Sequence, residues 1–360
     1  MAFFLDDIDT GLWDHLAQTK KKIVIYGMGD GAEKIKLAMD GRGIPLADMM
    51  ASDDFVRGHS FFGIRVKTLA EIEELYGSGF IILVGFGTQL PEITDRIYDI
   101  AAKHELYAPN VPVVGDGLFT PEYAKENSDS LKEAYDLLAD EQSRKVFENI
   151  IRYKLSGKID LLRECETPRG EMFDLLRIGD GETYVDLGAY NGDTLVEFLN
   201  ETSMRFKKLY AMEPDGKNYR KLKRRLYMIG SGLFEAYNCG AWDSETAMTF
   251  DLRAGRSSRV DNSSNPARTR EVKMMSVDTM LQGGGATFIK YDVEGSEEKA
   301  LNGSAHTIAE FKPKLSVAVY HRNEDMFRLP LLISSLNRRY KIYLRHHPYI
   351  PDWDTNLYCV

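Results

Sequence analysis

The feature that most constrains the fold is a repeated order of a short apolar run, a glycine and a helical pattern. It appears first at residues 22–27 (KIVIYG) and again at residues 183–188 (TYVDLG). A continuous apolar run of this length is typical of a strand buried on both faces. Strands that alternate with helices favour a mostly parallel sheet covered by helices on both sides. The chain is therefore predicted to be an α/β protein with two such units.

The first unit is predicted to span residues 1–119 as a small Rossmann-like domain. A turn with a short strand is expected at residues 58–66. Three further strands are predicted at residues 22–27, 46–54 and 80–87. Three helices are predicted at residues 32–43, 68–77 and 90–104. Residues 120–170 change in character, because glycine becomes scarce and apolar residues recur at helical spacing. Two or three helices are expected there as a connector.

The second unit is predicted to span residues 171–360. Its last two strands lack a long crossover between them, so they are expected to pair antiparallel at the sheet edge. Helices are expected at residues 194–200, 217–228 and 297–311, and strands at residues 183–188, 208–214, 233–242, 287–295, 314–321, 340–347 and 356–360. The second unit is thus predicted to be a doubly wound, mostly parallel sheet with an antiparallel edge.

Composition excludes several classes of protein. The net charge of −9 argues against a general nucleic-acid binder. The start MAFFLDDIDT lacks the basic segment of a signal peptide, and the longest apolar run, FIILVGF, is too short to span a membrane. Three widely spaced cysteines suggest neither disulfides nor a zinc site. A cytoplasmic protein with no nucleic-acid or membrane partner is expected.

The second glycine turn has the chemistry of a ligand site. A strand followed by glycine and a helix start collects free backbone N–H groups and the positive helix end at one place. Gly188 and Gly192 would let a ligand approach the backbone, and Asp186 could receive an ammonium group or order the loop. Such a turn is often only a tight turn, so it does not define a site alone.

The next two strand ends add suitable side chains. Glu213 ends the second strand, where an acid can accept hydrogen bonds from ribose hydroxyls. Asn238, Ala241 and Asp243 follow the third strand and are placed to flank a purine ring. Three consecutive strand ends with suitable residues favour a nucleotide-like ligand over a simple turn.

The fourth strand carries two acids one residue apart, Asp292 and Glu294, directly before Gly295. Neighbouring carboxylates repel each other unless one is protonated, paired or bound to a cation. The alternative is structural: Glu294 caps the following helix or pairs with Lys290.

Together these motifs resemble the FkbM-type methyltransferases, which depend on S-adenosylmethionine and have the class I seven-stranded fold. The resemblance covers residues 171–360 approximately, and IKYDVEG is its most specific part. Tyr190 stands where the general class I loop often has glycine. The motifs are VDLGAYNGDT, YAMEPD, NCGAWD, SVDTM and FIKYDVEGSEEKALNG. The lead-in DLLADEQSRKVFENIIRYKL and the ending YKIYLRHH…LYCV resemble a bacterial subgroup.

The resemblance implies methyl transfer from S-adenosylmethionine to a hydroxyl oxygen. The acceptor would be a sugar, a glycan, a nucleotide-linked sugar or another small metabolite, and homo-oligomers are compatible with it. The implied general-base candidates are Asp292, Glu294 and His321. The implied cofactor-binding residues are Asp186, Gly188, Ala189, Tyr190, Gly192, Asp193, Thr194, Glu213, Asn238, Ala241 and Asp243.

Two further features of this half keep alternatives open. Asp292 and Glu294 could instead hold a divalent cation such as magnesium, since hard carboxylate oxygens suit it. His346 and His347 are adjacent, so they face opposite sides of a strand and only one could face the acceptor. Residues 251–273 form either a cover that uses Arg256, Arg259, Arg268 and Arg270 or a solvated hairpin. The basic run at residues 217–225 is expected to be a solvated helix face.

The first glycine turn supports a rival function. GMGDGA at residues 27–32 fits the G-x-G-x-x-A variant of a dinucleotide fingerprint, with Asp53 at a suitable distance for a ribose. This favours an NAD(P)-dependent oxidoreductase or a nucleotide-sugar-binding module. The short unit also resembles Rossmann-like domains that precede bacterial sugar-modifying enzymes, which implies an accessory, acceptor-binding domain. A non-enzymatic protein in which both turns are only structural is the third alternative.

Overall fold

We describe the protein from a computed structural model, which covers residues 10–229, 232–251, 259–260 and 269–360. The described chain contains three sheets, and a helical segment lies between the first and the other two. One continuous apolar core joins these parts, because it includes Val24 of the first sheet, Ile150 of the helical segment and Val185 of the second.

The first sheet has six strands in the order β3-β4-β2-β1-β5-β6, parallel except for the β3–β4 hairpin. It confirms the predicted N-terminal α/β sheet. Helix α1 was not predicted. The short strand β6 was not predicted either, because its three residues give too little periodicity to detect a strand. The elements are α1 Leu12–Gln18, β1 Lys22–Tyr26, α2 Asp30–Gly41, β2 Asp48–Met50, β3 Ser60–Phe61, β4 Ile64–Lys67, α3 Leu69–Tyr76, β5 Phe80–Val84, α4 Pro91–Ala101 and β6 Glu105–Tyr107.

The connecting segment contains five helices up to Leu176 rather than the two or three expected. They are α5 Pro121–Glu126, α6 Ser128–Asp136, α7 Glu141–Ser156, α8 Asp160–Arg163 and α9 Glu171–Leu176. The residues between these helices are few, and sequence periodicity alone does not show where one helix ends and the next begins. Asp140 is the N-cap of helix α7, and its side chain accepts a hydrogen bond from the Ser143 N–H across 2.8 Å.

The C-terminal half contains a seven-stranded sheet in the order β16-β17-β15-β14-β7-β8-β9. Strand β17 runs antiparallel to both β15 and β16, and the other pairs are parallel. This confirms the class I architecture with an antiparallel edge. The elements are β7 Thr183–Leu187, α10 Asp193–Glu201, β8 Lys208–Met212, α11 Gly216–Ile229, β9 Phe234–Tyr237, β10 Gly240–Ala241, β11 Thr246–Asp251, β12 Arg259–Val260, β13 Thr269–Met275, α12 Val277–Leu281, β14 Phe288–Tyr291, α13 Glu297–Asn302, α14 Ala305–Phe311, β15 Lys314–Ala318, α15 Asp325–Leu336, β16 Ile342–His346 and β17 Thr355–Cys359.

Two predicted elements of this half are divided in the structure, and helices α12 and α15 were not predicted. Residues 233–242 form two strands, because β9 stays in the large sheet while β10 joins a small sheet with β11, β12 and β13. Residues 297–311 form two helices, α13 and α14, separated at Gly303, which packs against the Trp242 carbonyl. Strands β11 and β13 are antiparallel, in keeping with the hairpin alternative for residues 251–273. The cover proposed for its four arginines lies outside the described side chains.

The carboxyl ends of the two large sheets meet. The segment after β5 contacts the segment between β16 and β17, and both lie at carboxyl edges. Thr88 and Ile350 form an antiparallel bridge there, with N–H to carbonyl distances of 2.8 and 2.9 Å. Gly87 approaches the Trp353 ring so closely that an added Cβ would lie 2.6 Å from it. The N-terminal sheet therefore borders the space above the C-terminal sheet.

Candidate active site

A cleft of about 310 Å³ lies at the carboxyl edge of the C-terminal sheet. It brings together residues from the ends of strands that are distant in sequence, as parallel topology predicts. Eight of the residues predicted from sequence line it: Gly188, Tyr190, Asp193, Thr194, Glu213, Ala241, Asp292 and Glu294.

The glycine turn after β7 forms the floor of this cleft. Gly188 has a φ of +81°, and a Cβ added there would lie 1.9 Å from the Asp292 carbonyl oxygen. Only glycine fits such a contact, because the backbone oxygen cannot be displaced without moving β14. Tyr190 also has a positive φ, of +46°, so the larger residue is accommodated in the turn. The turn and the Asp292 segment are thus packed directly against each other.

Glu213 joins this turn to the neighbouring strand end. Its side chain is 5% exposed and accepts hydrogen bonds from the N–H groups of Tyr190 and Asp215, both across 2.8 Å. Burial raises the pKa of Glu213 to about 7, and the two backbone hydrogen bonds limit the rise. Both carboxylate oxygens keep lone pairs that could accept ribose hydroxyls.

Asp186 lies beneath the turn and is fully buried. The Thr194 hydroxyl donates to it across 2.7 Å, and the Lys290 Nζ lies 3.6 Å from its other oxygen. Burial raises the pKa of Asp186 despite the opposing charge of Lys290. Asp186 is not among the residues that line the cleft, so its contacts order the loop, as one of the two sequence-based interpretations expected.

Several other predicted residues lie beside the cleft rather than on its lining. The Asn238 amide donates to the carbonyl oxygens of Glu213 and Pro214, at 2.8 and 3.0 Å. Asp243 pairs with Lys299 at 2.8 Å. Ala189 is buried, and Gly192 precedes α10 within the turn. These contacts indicate that Asn238 shapes the strand ends that hold the lining residues.

Asp292 is a partly exposed acid that lines the cleft. Its side chain is 34% exposed, lies 3.3 Å from the Lys290 Nζ and accepts a hydrogen bond from the Tyr320 hydroxyl across 3.1 Å. Desolvation raises the pKa of Asp292, but Lys290 and His321 outweigh it, so the pKa lies below its usual range. Asp292 is therefore a carboxylate at neutral pH. Glu294 lines the same wall and has a φ of +53°.

His321 lies behind these acids and is 1% exposed. Its Nε2 lies 3.6 Å from Asp292 and 3.7 Å from Glu294, and its Nδ1 lies 3.0 Å from Glu297. Burial lowers the pKa of His321, but Glu297 and the other acids outweigh this effect and raise it to about 10. His321 is therefore protonated at neutral pH and has no lone pair with which to accept a proton. These contacts favour Asp292 over His321 as the proton acceptor.

Glu297 was not singled out from the sequence, although it belongs to the IKYDVEGSEE motif. It is 1% exposed and accepts a hydrogen bond from the Val293 N–H across 2.9 Å, in addition to its ion-pair contact with His321. Glu297, His321 and Asp325 each offer one potential metal-ligand atom, and these three atoms lie within 4.8 Å of one another. This buried set differs from the predicted cation ligands Asp292 and Glu294, and the positive charge of His321 already balances Glu297.

Several lining residues were not predicted to belong to the site, among them Gln89, Arg169, Lys290 and Tyr320. Lys290 lies within the motif IKYDVEG and had been considered only as a partner of Glu294. Arg169 lies in the connector, where it contacts Asp354 at 2.7 Å and Glu197 at 3.3 Å. Gln89 comes from the loop after β5 in the N-terminal half, and no local pattern indicates it.

The two adjacent histidines lie in different surroundings: His346 is the last residue of β16, and His347 directly follows the strand. His347 is buried, lines a smaller adjoining cavity of about 50 Å³ and contacts the Tyr358 hydroxyl at 2.7 Å. His346 points into the core, where burial lowers its pKa to about 4. Only His347 is therefore placed near the cleft.

The first glycine turn encloses little space. The cavity beside it, lined by Gly31, Phe86 and Trp353 among others, has a volume of about 10 Å³, which suits no more than one water molecule. Phe86 also packs against Gly27, and Asp53 is exposed to solvent. The cavity enclosed beside the turn is therefore much smaller than a dinucleotide.

Comparisons with known proteins agree with the geometry. Residues 186–351 match the family described as Methyltransferase FkbM domain. The methyltransferase FkbM from Methylobacillus flagellatus is similar along almost the whole chain, with 22% identity, coverage of 99% of this chain and 95% of that one, and a TM-score of 0.73. It shares the fold of both halves. None of the curated proteins that were searched matches this sequence.

Two other solved structures match about half of this chain. An rRNA methylase from Streptococcus thermophilus covers 54% of this chain and 95% of its own, with 16% identity and a TM-score of 0.36. A fibrillarin from Aeropyrum pernix with natively bound S-adenosylmethionine covers 51% of this chain and 68% of its own, with 11% identity and a TM-score of 0.32.

The helices in the described part of the chain are all too short or too polar to cross a membrane.

Proposed function

Because residues 186–351 belong to the FkbM methyltransferase family, we propose that this S-adenosylmethionine-dependent enzyme methylates a hydroxyl oxygen of a sugar, glycan or secondary metabolite. One observation carries the proposal: Gly188, Glu213 and Asp292 share a single cleft. Had their side chains or backbones faced different spaces, no common site for cofactor and acceptor would exist.

The residues present fit the cofactor. The backbone at Gly188 and Tyr190 leaves room for its amino-acid end, Glu213 offers free lone pairs to ribose hydroxyls, and Ala241 supplies a small apolar contact for adenine. When bound, S-adenosylmethionine supplies an electrophilic methyl group on a positively charged sulfur. The acids around the cleft favour a cationic group there.

In this proposal, Asp292 orients the acceptor hydroxyl by accepting its hydrogen bond and then receives its proton. It is exposed to the cleft, ionised at neutral pH and fixed by Tyr320 and Lys290. Its low pKa makes it a weak base, so orientation of the hydroxyl contributes more than proton removal. His321 holds Asp292 and Glu294 from behind and is a positioning residue.

The N-terminal sheet would bind or present the acceptor, since it borders the space above the C-terminal sheet through Thr88 and Ile350. A neutral or nucleotide-linked sugar is the acceptor class that we favour. All three cysteines are buried and unpaired, in keeping with the expected cytoplasmic location.

Two measurements test the assignment. Calorimetry should detect binding of S-adenosylhomocysteine and none of NAD, because the space at the first glycine turn is small. Incubation with S-adenosylmethionine carrying a tritiated methyl group should then label members of a panel of methyl glycosides and nucleotide sugars. Tight NAD binding without S-adenosylhomocysteine binding would favour the oxidoreductase instead, and binding of neither would favour a non-enzymatic protein.

A further inference from the structure

We propose that Gln89, in the loop between β5 and α4, forms part of the acceptor subsite and recognises neutral sugar hydroxyls there. This inference rests on the proposed methyl transfer to a sugar. It assigns to the N-terminal half a specific residue that acts in the methyl-transfer cleft, rather than only a packing role.

Gln89 reaches a cleft whose other walls belong to the C-terminal half and the connector. It lines the same space as Asp292, Glu294 and Tyr320. The residue is exposed, and its side chain makes no hydrogen bond to another residue in the part of the chain that the structure describes. An amide at the rim of a cleft without an internal partner is available to a ligand.

The backbone around Gln89 is fixed from both sides. On one side, Thr88 is bridged to Ile350, and its hydroxyl accepts a hydrogen bond from the Leu90 N–H across 3.2 Å. On the other side, Pro91 begins α4. Because the anchor points flank Gln89, its amide is presented at a defined place.

The chemistry of the cleft assigns the ligand class. Asp292 and Glu294 can only accept hydrogen bonds when ionised, and Arg169 is already engaged by Glu197 and Asp354. Gln89 adds both a donor and an acceptor, the combination that matches a sugar hydroxyl. The surrounding carboxylates would repel a phosphate, so the recognised portion is the uncharged glycosyl ring.

The principal test is the substitution Gln89→Met, which keeps the length of the side chain and removes its hydrogen bonds. Glu92→Ala is the matched control, because Glu92 is exposed in the first turn of α4 and does not line the cleft. Tritium transfer to the methyl glycosides and nucleotide sugars labelled by the wild-type enzyme gives KM and kcat. We expect the acceptor KM to rise about three- to tenfold in Gln89→Met, as loss of a hydrogen bond implies. Affinity for S-adenosylhomocysteine should not change.

A second variant, Gly87→Ala, should displace the loop that carries Gln89 without altering the Gln89 amide. The added methyl group would meet the Trp353 ring, so we expect the acceptor KM to rise in this variant as well. An unchanged acceptor KM in Gln89→Met, with labelling intact, would overturn the subsite alone. Binding of S-adenosylhomocysteine with no member of the panel labelled would instead overturn the sugar acceptor, and the subsite with it.

Discussion

The backbone N–H of Tyr190 donates to the Glu213 carboxylate across 2.8 Å, which joins the glycine turn after β7 to the end of β8. The second oxygen of Glu213 accepts from the Asp215 N–H at the same distance. One buried acid thereby sets the shape of two neighbouring strand ends. The conformation of the turn and the proposed ribose contact depend on the same side chain.

Replacement of this acid should affect both stability and ligand binding. In Glu213→Ala, two backbone N–H groups lose their acceptor, and we expect the free energy of unfolding to fall by about 1–3 kcal/mol. Affinity for S-adenosylhomocysteine should fall at least tenfold by calorimetry. Glu213→Gln, which retains an acceptor oxygen, should lose less on both measures, and normal affinity in the alanine variant would remove Glu213 from the cofactor site.

Cofactor affinity should depend on pH because burial raises the pKa of Glu213 to about 7. Above this value the carboxylate accepts hydroxyl hydrogen bonds with both oxygens, and below it the proton occupies one of them. We therefore expect the Kd for S-adenosylhomocysteine to increase as the pH falls from 8.5 to 6. The same titration of Glu213→Gln should be nearly flat, and a wild-type profile equally flat would contradict the proposed contact.

Asp292 should affect turnover more than cofactor binding. Asp292→Asn keeps the shape of the side chain and its contact with Tyr320, but removes the charge that orients and receives the hydroxyl proton. We expect methyl transfer to fall about 10²-fold, the lower end of the usual contribution of a positioned acid or base, because its low pKa makes Asp292 a weak base. The affinity for S-adenosylhomocysteine should change little, and an unaltered kcat would exclude Asp292 from the reaction.

Lys290 compensates two acids, because its Nζ lies 3.6 Å from Asp186 and 3.3 Å from Asp292. Lys290→Met should leave the buried Asp186 without a cation and lower the free energy of unfolding by about 3 kcal/mol at pH 8. The loss should be smaller at pH 5, since Asp186 can then take up a proton. The matched control Lys299→Met removes the exposed pair with Asp243 and the contact with the Trp242 ring, and it should lower the free energy of unfolding by much less.

Removal of divalent cations should leave the activity intact. Lys290 and the protonated His321 already lie within 3.6 Å of Asp292, so its charge is compensated by side chains. We expect the rate of methyl transfer to be the same after dialysis against a chelator and after addition of magnesium. A rate that disappears on dialysis and returns with one metal would show that a cation is required.

Sequence reasoning succeeded where topology alone determines position. Parallel strands bring their carboxyl ends to one edge, so the meeting of Gly188, Glu213 and Asp292 could be predicted without knowing any side-chain contact. The alternation of strands and helices likewise predicted the two large sheets, but not the small sheet of β10, β11, β12 and β13. The domain boundaries and the roles of the individual residues stay predictions for the experiments above.

The remaining features depend on packing between distant segments. Asn238 turns towards the Glu213 carbonyl because the chain leaves the large sheet after β9, and periodicity cannot show where a strand departs. His321 is protonated because Glu297 lies beside its Nδ1 in the folded core. Gln89 is held at the cleft by contacts between distant segments, such as the bridge of Thr88 with Ile350 and the packing of Gly87 against Trp353.

The helical connector has a consequence for any attempt to shorten the protein. The Ala139 N–H donates to the Ile342 carbonyl and the Thr167 N–H to that of His346, both across 2.8 Å, so connector backbone occupies the outer side of β16. Deletion of residues 1–170 would leave that strand with unpaired peptide groups, which attract strands of other molecules. A catalytic half expressed alone would thus tend to aggregate, and activity lost on truncation would reflect self-association as much as a missing substrate contact.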